Sequence, residues 1–293
     1  MKKYISGVFL VILLAFLAYP LGYFVLDGYT KTEIKENNNY VKDSVVAYII
    51  NLDRSPERLK FVKENVERLN IPFERISAVD GNLLSQEEIQ QKVSNALKGF
   101  DRRNKVGIFG CYLSHVKTWE IFLKSDAEFA IIFEDDVNFN PKVLKEIIDE
   151  LIINKDLWDI NTFDIRGNGM PVRIKKFSNG QSLVVYLTKV LNTGSYIINR
   201  KAAKKLLEKA LPIKMQIDDY FTRTWELDLK FTGIETPRLV FQMFGNDSDI
   251  ENSRDIDNDK VDFITLVKRR IYQSQRAIIR FIYNLKVYLQ DKE

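Results

Sequence analysis

The 293-residue sequence contains one cysteine, Cys111, and one histidine, His115. A single thiol excludes an internal disulfide and suits a reducing compartment. One histidine and one cysteine also exclude a zinc centre built from several nitrogen and sulfur ligands. A resident metal would be held through oxygen, which points to Mg²⁺ or Mn²⁺. Net charge is small outside one segment. The chain carries net +4, but residues 260–293 hold eight Lys or Arg against three acids, and this local +5 leaves −1 for the rest. The basic charge belongs to a tail and gives no case for a nucleic-acid-binding core. The 45% apolar content supports a globular core.

Residues 4–26 contain no charged side chain. At about 1.5 Å per residue, such a helix crosses a hydrocarbon layer of roughly 30 Å. No Ala-x-Ala site follows, so the stretch is expected to be a transmembrane anchor and not a cleaved signal. Lys2 and Lys3 precede it, and Lys31, Lys35 and Lys42 follow, which leaves its orientation open. Residues 27–43 are polar and read as a linker. Residues 44–259 are expected to form the folded domain, and 260–293 a basic amphipathic helix. In that helix Ile271, Ile278 and Ile282 recur at helical spacing among Lys and Arg. The pattern suits an anionic membrane surface, with a helix packed on the domain with a solvated basic face as the alternative.

Within the domain, strand patterns alternate with helical ones. Strands are expected at 45–52, 71–79, 129–133 and 195–199, and helices at 56–69, 85–97, 110–123, 141–153 and 201–210. Asn179-Gly180 between apolar runs signals a hairpin. The alternation predicts an α/β fold with a mostly parallel central sheet covered on both faces.

Five places carry residues with chemical potential. Asn51-Leu52-Asp53-Arg54-Ser55-Pro56-Glu57-Arg58 joins a strand to a helix. Its N–H groups with Arg54 or Arg58 can hold phosphate, or simply cap the helix. Asp80-Gly81 can place a carboxylate on a ribose, or simply make a turn. Ser114 and His115 are adjacent on a predicted helix and so do not face each other as a nucleophile pair. His115 can still serve as a base or bind phosphate, or be a structural residue. Glu134-Asp135-Asp136 ends an apolar strand, Phe129–Phe133. Such a cluster suits a cation, or a solvated loop. Asp218-Asp219 can supply a proton acceptor or cap a helix.

In order along the chain, IINLDRSPERL, ISAVDG, GCYLSH, FAIIFEDDV, LNTGSYIINRKAAKKLL, QIDDYF and PRLVFQ resemble glycosyltransferase family 25, the lipopolysaccharide and collagen galactosyltransferase group. The resemblance covers roughly residues 45–250. It implies a GT-A-like nucleotide-sugar-binding sandwich and an inverting transfer of a hexose, galactose first, from a UDP-sugar to a lipopolysaccharide-type or other surface glycan. It implies a nucleotide site near Asn51, Arg54 and Asp80, with Arg58, Ser114 and His115 the further candidates on the donor side. It implies a divalent metal at Glu134 and Asp136, with Asp135 between them. It implies a proton acceptor at Asp218, with Asp219 in reserve. The pair before Asp218 is Gln216-Ile217, whereas relatives often carry Pro-Val or Pro-Ile, so the loop shape departs from the family pattern. The expected setting is a bacterial inner membrane with the catalytic domain on the cytoplasmic face, where nucleotide sugars are made. A non-catalytic nucleotide-sugar-binding membrane protein of the same fold is the alternative.

Overall fold

The computed structural model describes residues 44–94, 106–235, 239–243 and 263–291. The expected anchor at 4–26, the linker at 27–43 and the acid-rich stretch at 247–259 lie outside the described residues. Among the described residues, no helix is long and apolar enough to cross a membrane.

The core begins with β1, Val45–Asn51, an apolar run that ends at its only strongly polar residue. Continuous apolar sequence is what a strand buried on both faces requires. Alternation then sends Val45, Ala47 and Ile49 into one hydrophobic core, and Tyr48 and Ile50 into a second. Helix α1, Pro56–Glu67, starts with proline at its first turn and buries Val62 and Val66. It leads to β2, Phe73–Ser77, parallel to β1. Helix α2, Gln86–Lys92, carries a complete capping box from Ser85 and Glu88. Helix α3, Val106–Lys124, covers the sheet on the Tyr48 face. The chain then returns as β3, Phe129–Glu134, parallel to β1 on its other side. The order β2-β1-β3 is a topological switch point. In α/β sheets ligands bind outside the carboxyl ends of the strands flanking such a point.

After β3 come β4, Val137–Phe139, and α4, Pro141–Ile153. The Asn140 carboxamide oxygen caps α4 by accepting from the N–H groups of Lys142 and Val143. Strands β5, Ile160–Thr162, β6, Pro171–Lys176, β7, Ser182–Tyr186, and β8, Ser195–Asn199, follow. Next are α5, Arg200–Lys209, α6, Ile217–Phe221, β9, Phe231–Ile234, and β10, Val240–Gln242. Helix α7, Phe263–Asp291, is the last element. Helices α1 and α4 pack on one face of the sheet, and α3, α5 and α6 on the other.

The eight-stranded sheet has the order β2-β1-β3-β8-β5-β9-β7-β6. It is mixed, which corrects the expectation of a mostly parallel sheet. Only β1/β2, β1/β3 and β5/β9 are parallel, whereas β3/β8, β5/β8, β6/β7 and β7/β9 are antiparallel. The physical reason is β8, which enters between β3 and β5 in the opposite sense, and the β6–β7 hairpin, which turns at Gly180 with φ +86°. The α/β class holds. A two-stranded ribbon of β4 and β10 lies beside the end of β3, where Met243 N–H donates to the Asp136 carbonyl at 2.8 Å.

Candidate active site

The switch point gathers the sequence-predicted residues of β1 and β3. Ile50 pairs with Glu134 across the two strands, so Asn51 lies at the start of the acid cluster. Asn51 is buried. Its Nδ2 donates to Asp135 Oδ2 at 2.6 Å and to the Ser55 carbonyl at 2.9 Å, and its Oδ1 accepts from Arg75 Nε at 3.0 Å. Arg58 of α1 stands 3.8 Å from Asp135 Oδ1. Asp135 is thus engaged by β1 and α1.

Glu134 is fixed from behind. Its Oε1 accepts from Thr193 Oγ1 at 2.9 Å and lies 3.3 Å from His115 Nε2. Trp119 Nε1, which can only donate, stands 2.9 Å from the Tyr196 hydroxyl, and that hydroxyl is 2.9 Å from His115 Nδ1. The phenol accepts from the indole and gives its own hydrogen to Nδ1, so the remaining imidazole hydrogen sits on Nε2 and points at Glu134. Burial pushes the Glu134 carboxyl up, but His115, Thr193 and Arg166 outweigh it and hold it below the usual carboxylate range. His115 and Ser114 are both buried. Ser114 Oγ accepts from Val79 N at 2.8 Å and donates to the Gly110 carbonyl at 2.7 Å. The polar atoms of both residues are bonded within the protein, Ser114 to the Val79 N–H and the Gly110 carbonyl and His115 to Tyr196 and Glu134.

The same packing explains the Asp80-Gly81 and Gly110 motifs. A Cβ on Gly110 would fall 2.5 Å from the Val79 carbonyl oxygen and 2.7 Å from Gly81 N, so only hydrogen fits where α3 crosses this loop. Asp80 caps the turn through Asn82 N and forms an ion pair with Arg54. Asn51, Arg54, Arg58 and Asp80 therefore share the β1/β2 rim.

Asp136 differs from its neighbours. Its Oδ1 is buried with no hydrogen-bond partner, and burial with the charges of Glu134 and Asp135 pushes its carboxyl up to about 7. A carboxylate oxygen left without a donor, next to a second carboxylate, is a good fit for a divalent cation. Glu134 and Asp136 are the residues that would hold it.

Asp218, on α6, belongs to the same neighbourhood. Burial and Asp219 push its carboxyl up, and Glu134 adds to the effect. The Cys111 thiol is likewise pushed up by burial and then by the charges of Glu134, Asp218 and Asp136, which come from two segments of the chain. Asp219 is paired with Lys189 instead. Cys111, His115 and Glu134 bring ligand atoms within 4.8 Å of one another. The His115 hydrogen bond accounts for that grouping without a metal.

Sequence reasoning gave no role to Thr193, Tyr196, Trp119 or Arg75. Thr193 and Tyr196 lie in LNTGSYIIN, whose position in the ordered motif series was the available signal. Trp119 and Arg75 carried none.

The glycosyltransferase family 25 (LPS biosynthesis protein) profile matches residues 45–221, more than half of the chain and all of these acids. The chain belongs to glycosyltransferase family 25. A glycosyltransferase 25 family member of Aedes aegypti is 30% identical over 181 residues, covering 59% of this chain and 30% of the relative. A putative glycosyltransferase of Haemophilus influenzae is 30% identical over 182 residues, covering 58% of this chain and 60% of the relative. Procollagen galactosyltransferase 1-B of Xenopus laevis is 26% identical over 216 residues, covering 66% and 35%. The matched region is about a third of the length of the animal proteins and 60% of the bacterial one. The family also includes rodent members described as inactive.

Proposed function

We propose that this family 25 protein is an inverting glycosyltransferase that moves a hexose, galactose first, from a UDP-sugar to a lipopolysaccharide-type or other surface glycan. The observation that carries the reading is that Asp136 and Asp218 come from different segments, the end of β3 and α6, yet both act on the Cys111 thiol, and burial pushes both carboxyls up. Inversion needs this separation, because the leaving diphosphate and the attacking hydroxyl lie on opposite sides of the anomeric carbon.

Asp218 takes the proton of the acceptor hydroxyl as its oxygen bonds to the anomeric carbon. The bond from that carbon to the diphosphate oxygen breaks, and its electron pair leaves with UDP. Raised proton affinity suits Asp218 to this task, and the Asp219 N–H, 2.8 Å from Asp218 Oδ1, holds the carboxyl in place. A divalent ion, Mn²⁺ or Mg²⁺, bound by Asp136 and Glu134 would supply positive charge for the diphosphate. The rim of Asn51, Arg54, Arg58 and Asp80 receives the nucleotide. A nucleotide-sugar-binding protein without turnover is the second reading, favoured by the inactive relatives.

The test is a screen of UDP-hexoses against glycan acceptors with Mn²⁺ or Mg²⁺, run on the wild type and on Asp218→Asn. Transfer by the wild type, lost in the variant with donor binding retained, supports the proposal. Nucleotide binding without transfer to any acceptor supports the second reading.

A further inference from the structure

Helix α7 is apolar on both its inner and its outer side. Its inner side buries Val287 and Tyr288 and also carries polar contacts to the domain. Asn284 Nδ2 donates to the Tyr186 carbonyl at 2.6 Å, Tyr283 OH to the Leu229 carbonyl at 3.1 Å, and Lys230 Nζ to Asp291 Oδ1 at 2.7 Å. Arg276 pairs with Glu226, and the Arg280 guanidinium lies 4.7 Å from the Trp225 ring centroid. A second apolar side faces outward. Val267, Ile271, Ile278, Ile282 and Leu289 are 39–62% exposed. At 3.6 residues per turn they form one stripe about 60° wide and roughly 33 Å long.

We infer that this stripe is a docking surface for an anionic lipid bilayer, and that it sets the acceptor side of the site against the membrane. Large aliphatic residues exposed along one face of a helix mark an interaction surface. The charge around the stripe selects the partner. Exposed Lys268, Arg270 and Lys286 accompany it, and residues 263–290 contain no acid. A second copy of α7 would bring lysines and arginines onto lysines and arginines, whereas anionic headgroups complement them.

The helix is also tied to the site. Tyr272 OH accepts from Arg223 NH1 at 3.2 Å, and next to Arg223 the Thr222 hydroxyl donates to the Asp218 carbonyl at 2.9 Å. A bilayer under α7 therefore lies on the Asp218 side, where the acceptor hydroxyl must arrive. This part rests on the proposed glycosyl transfer, and it names a lipid-embedded glycan as the acceptor.

The test uses the full chain in vesicles, with a nitroxide attached through Ile278→Cys in the stripe or Glu146→Cys on α4. Protein without an added cysteine reports any labelling of Cys111. In phosphatidylglycerol vesicles the label at 278 should collide more with oxygen than with a water-soluble nickel chelate. That ratio should reverse for the label at 146 and fall in phosphatidylcholine vesicles. Equal nickel access at both sites, or spin–spin broadening between copies at position 278 without lipid, overturns the inference, the latter in favour of a second copy. This readout does not depend on turnover, so it stands if the glycosyl-transfer reading fails. The second arm compares acceptors. Combined Ile271→Ser, Ile278→Ser and Ile282→Ser should lower transfer to a vesicle-embedded acceptor and leave transfer to its water-soluble glycan unchanged. An equal loss on both overturns the link to the acceptor.

Discussion

Replacing Asp136 by asparagine should make the metal-free protein more stable while making it unresponsive to metal. The Asp136 carboxyl rises from 3.8 to about 7 in the folded protein, through burial first and the neighbouring carboxylates second. A folded-state value above the unfolded one means that ionising this acid costs stability. The cost is absent below pH 3.8, grows between 3.8 and about 7, and is constant above that. At 1.36 kcal/mol per pH unit the full cost is about 4 kcal/mol, of which about 3 kcal/mol accumulates between pH 5 and pH 8. An asparagine amide buried without full hydrogen bonding returns about 1 kcal/mol of that. The variant should therefore melt roughly 5–10 °C above the wild type at pH 8 in chelator, and much closer to it at pH 5. Saturating Mn²⁺ at about a hundred times its dissociation constant should then stabilise the wild type by about 2.7 kcal/mol and the variant hardly at all. Calorimetric melts at the two pH values, with and without the ion, measure all four quantities. A variant no more stable at pH 8 than at pH 5, relative to wild type, would refute the electrostatic reasoning. An undiminished Mn²⁺ shift would refute the assignment of Asp136 as a ligand.

Three further outcomes are expected. Asp218→Asn should lower kcat by about 10²–10⁴ with little change in donor affinity, and wild-type kcat should fall as pH drops through the raised Asp218 value, since the base must be ionised. Tyr196→Phe should release the tautomer of His115. With one histidine in the chain, the imaging of its two ring nitrogens by ¹⁵N NMR should show hydrogen on Nε2 alone in the wild type and a mixture in the variant. A mixture already present in the wild type would refute the hydrogen-bond assignment. Gly110→Ala should destabilise despite a helix-propensity gain of about 1 kcal/mol, because the collision with the Val79 carbonyl costs about 1–3 kcal/mol. Thermal melts that show a net gain would contradict the close packing of α3.

The legible parts of the fold were those where one local cause acts alone. Strand β8 and helix α4 fell on the predicted residues, because an apolar run and a Pro after an Asn cap act within a few residues. Strands β4, β5 and β10 have three residues each, too few for a periodic signal, so they escaped notice. The antiparallel insertion of β8 left no local trace, since a strand buried on both faces reads the same in either direction. Helix α7 shows the sharper limit. Its apolar period was visible, but a period says which residues share a face and not what that face meets. In the site, the acids and Asn51 were visible as residue types. The demotion of Asp135 to a partner of Asn51 and Arg58, and of His115 to a support for Glu134, depends on contacts between distant segments.

Those contacts also bear on when the acid cluster takes its shape. Asn51 meets Asp135 across 84 residues, His115 meets Tyr196 across 81, and Thr193 meets Glu134 across 59. Loop closure of this length must precede each bond, which makes such pairings late events in folding. Glu134 lacks its Thr193 donor until β8 has docked beside β3. A nascent chain halted before residue 193 would hold β1 and β3 with their acids but not the orientation of Glu134. The orientation of Glu134 is therefore acquired when the antiparallel strand closes the sheet.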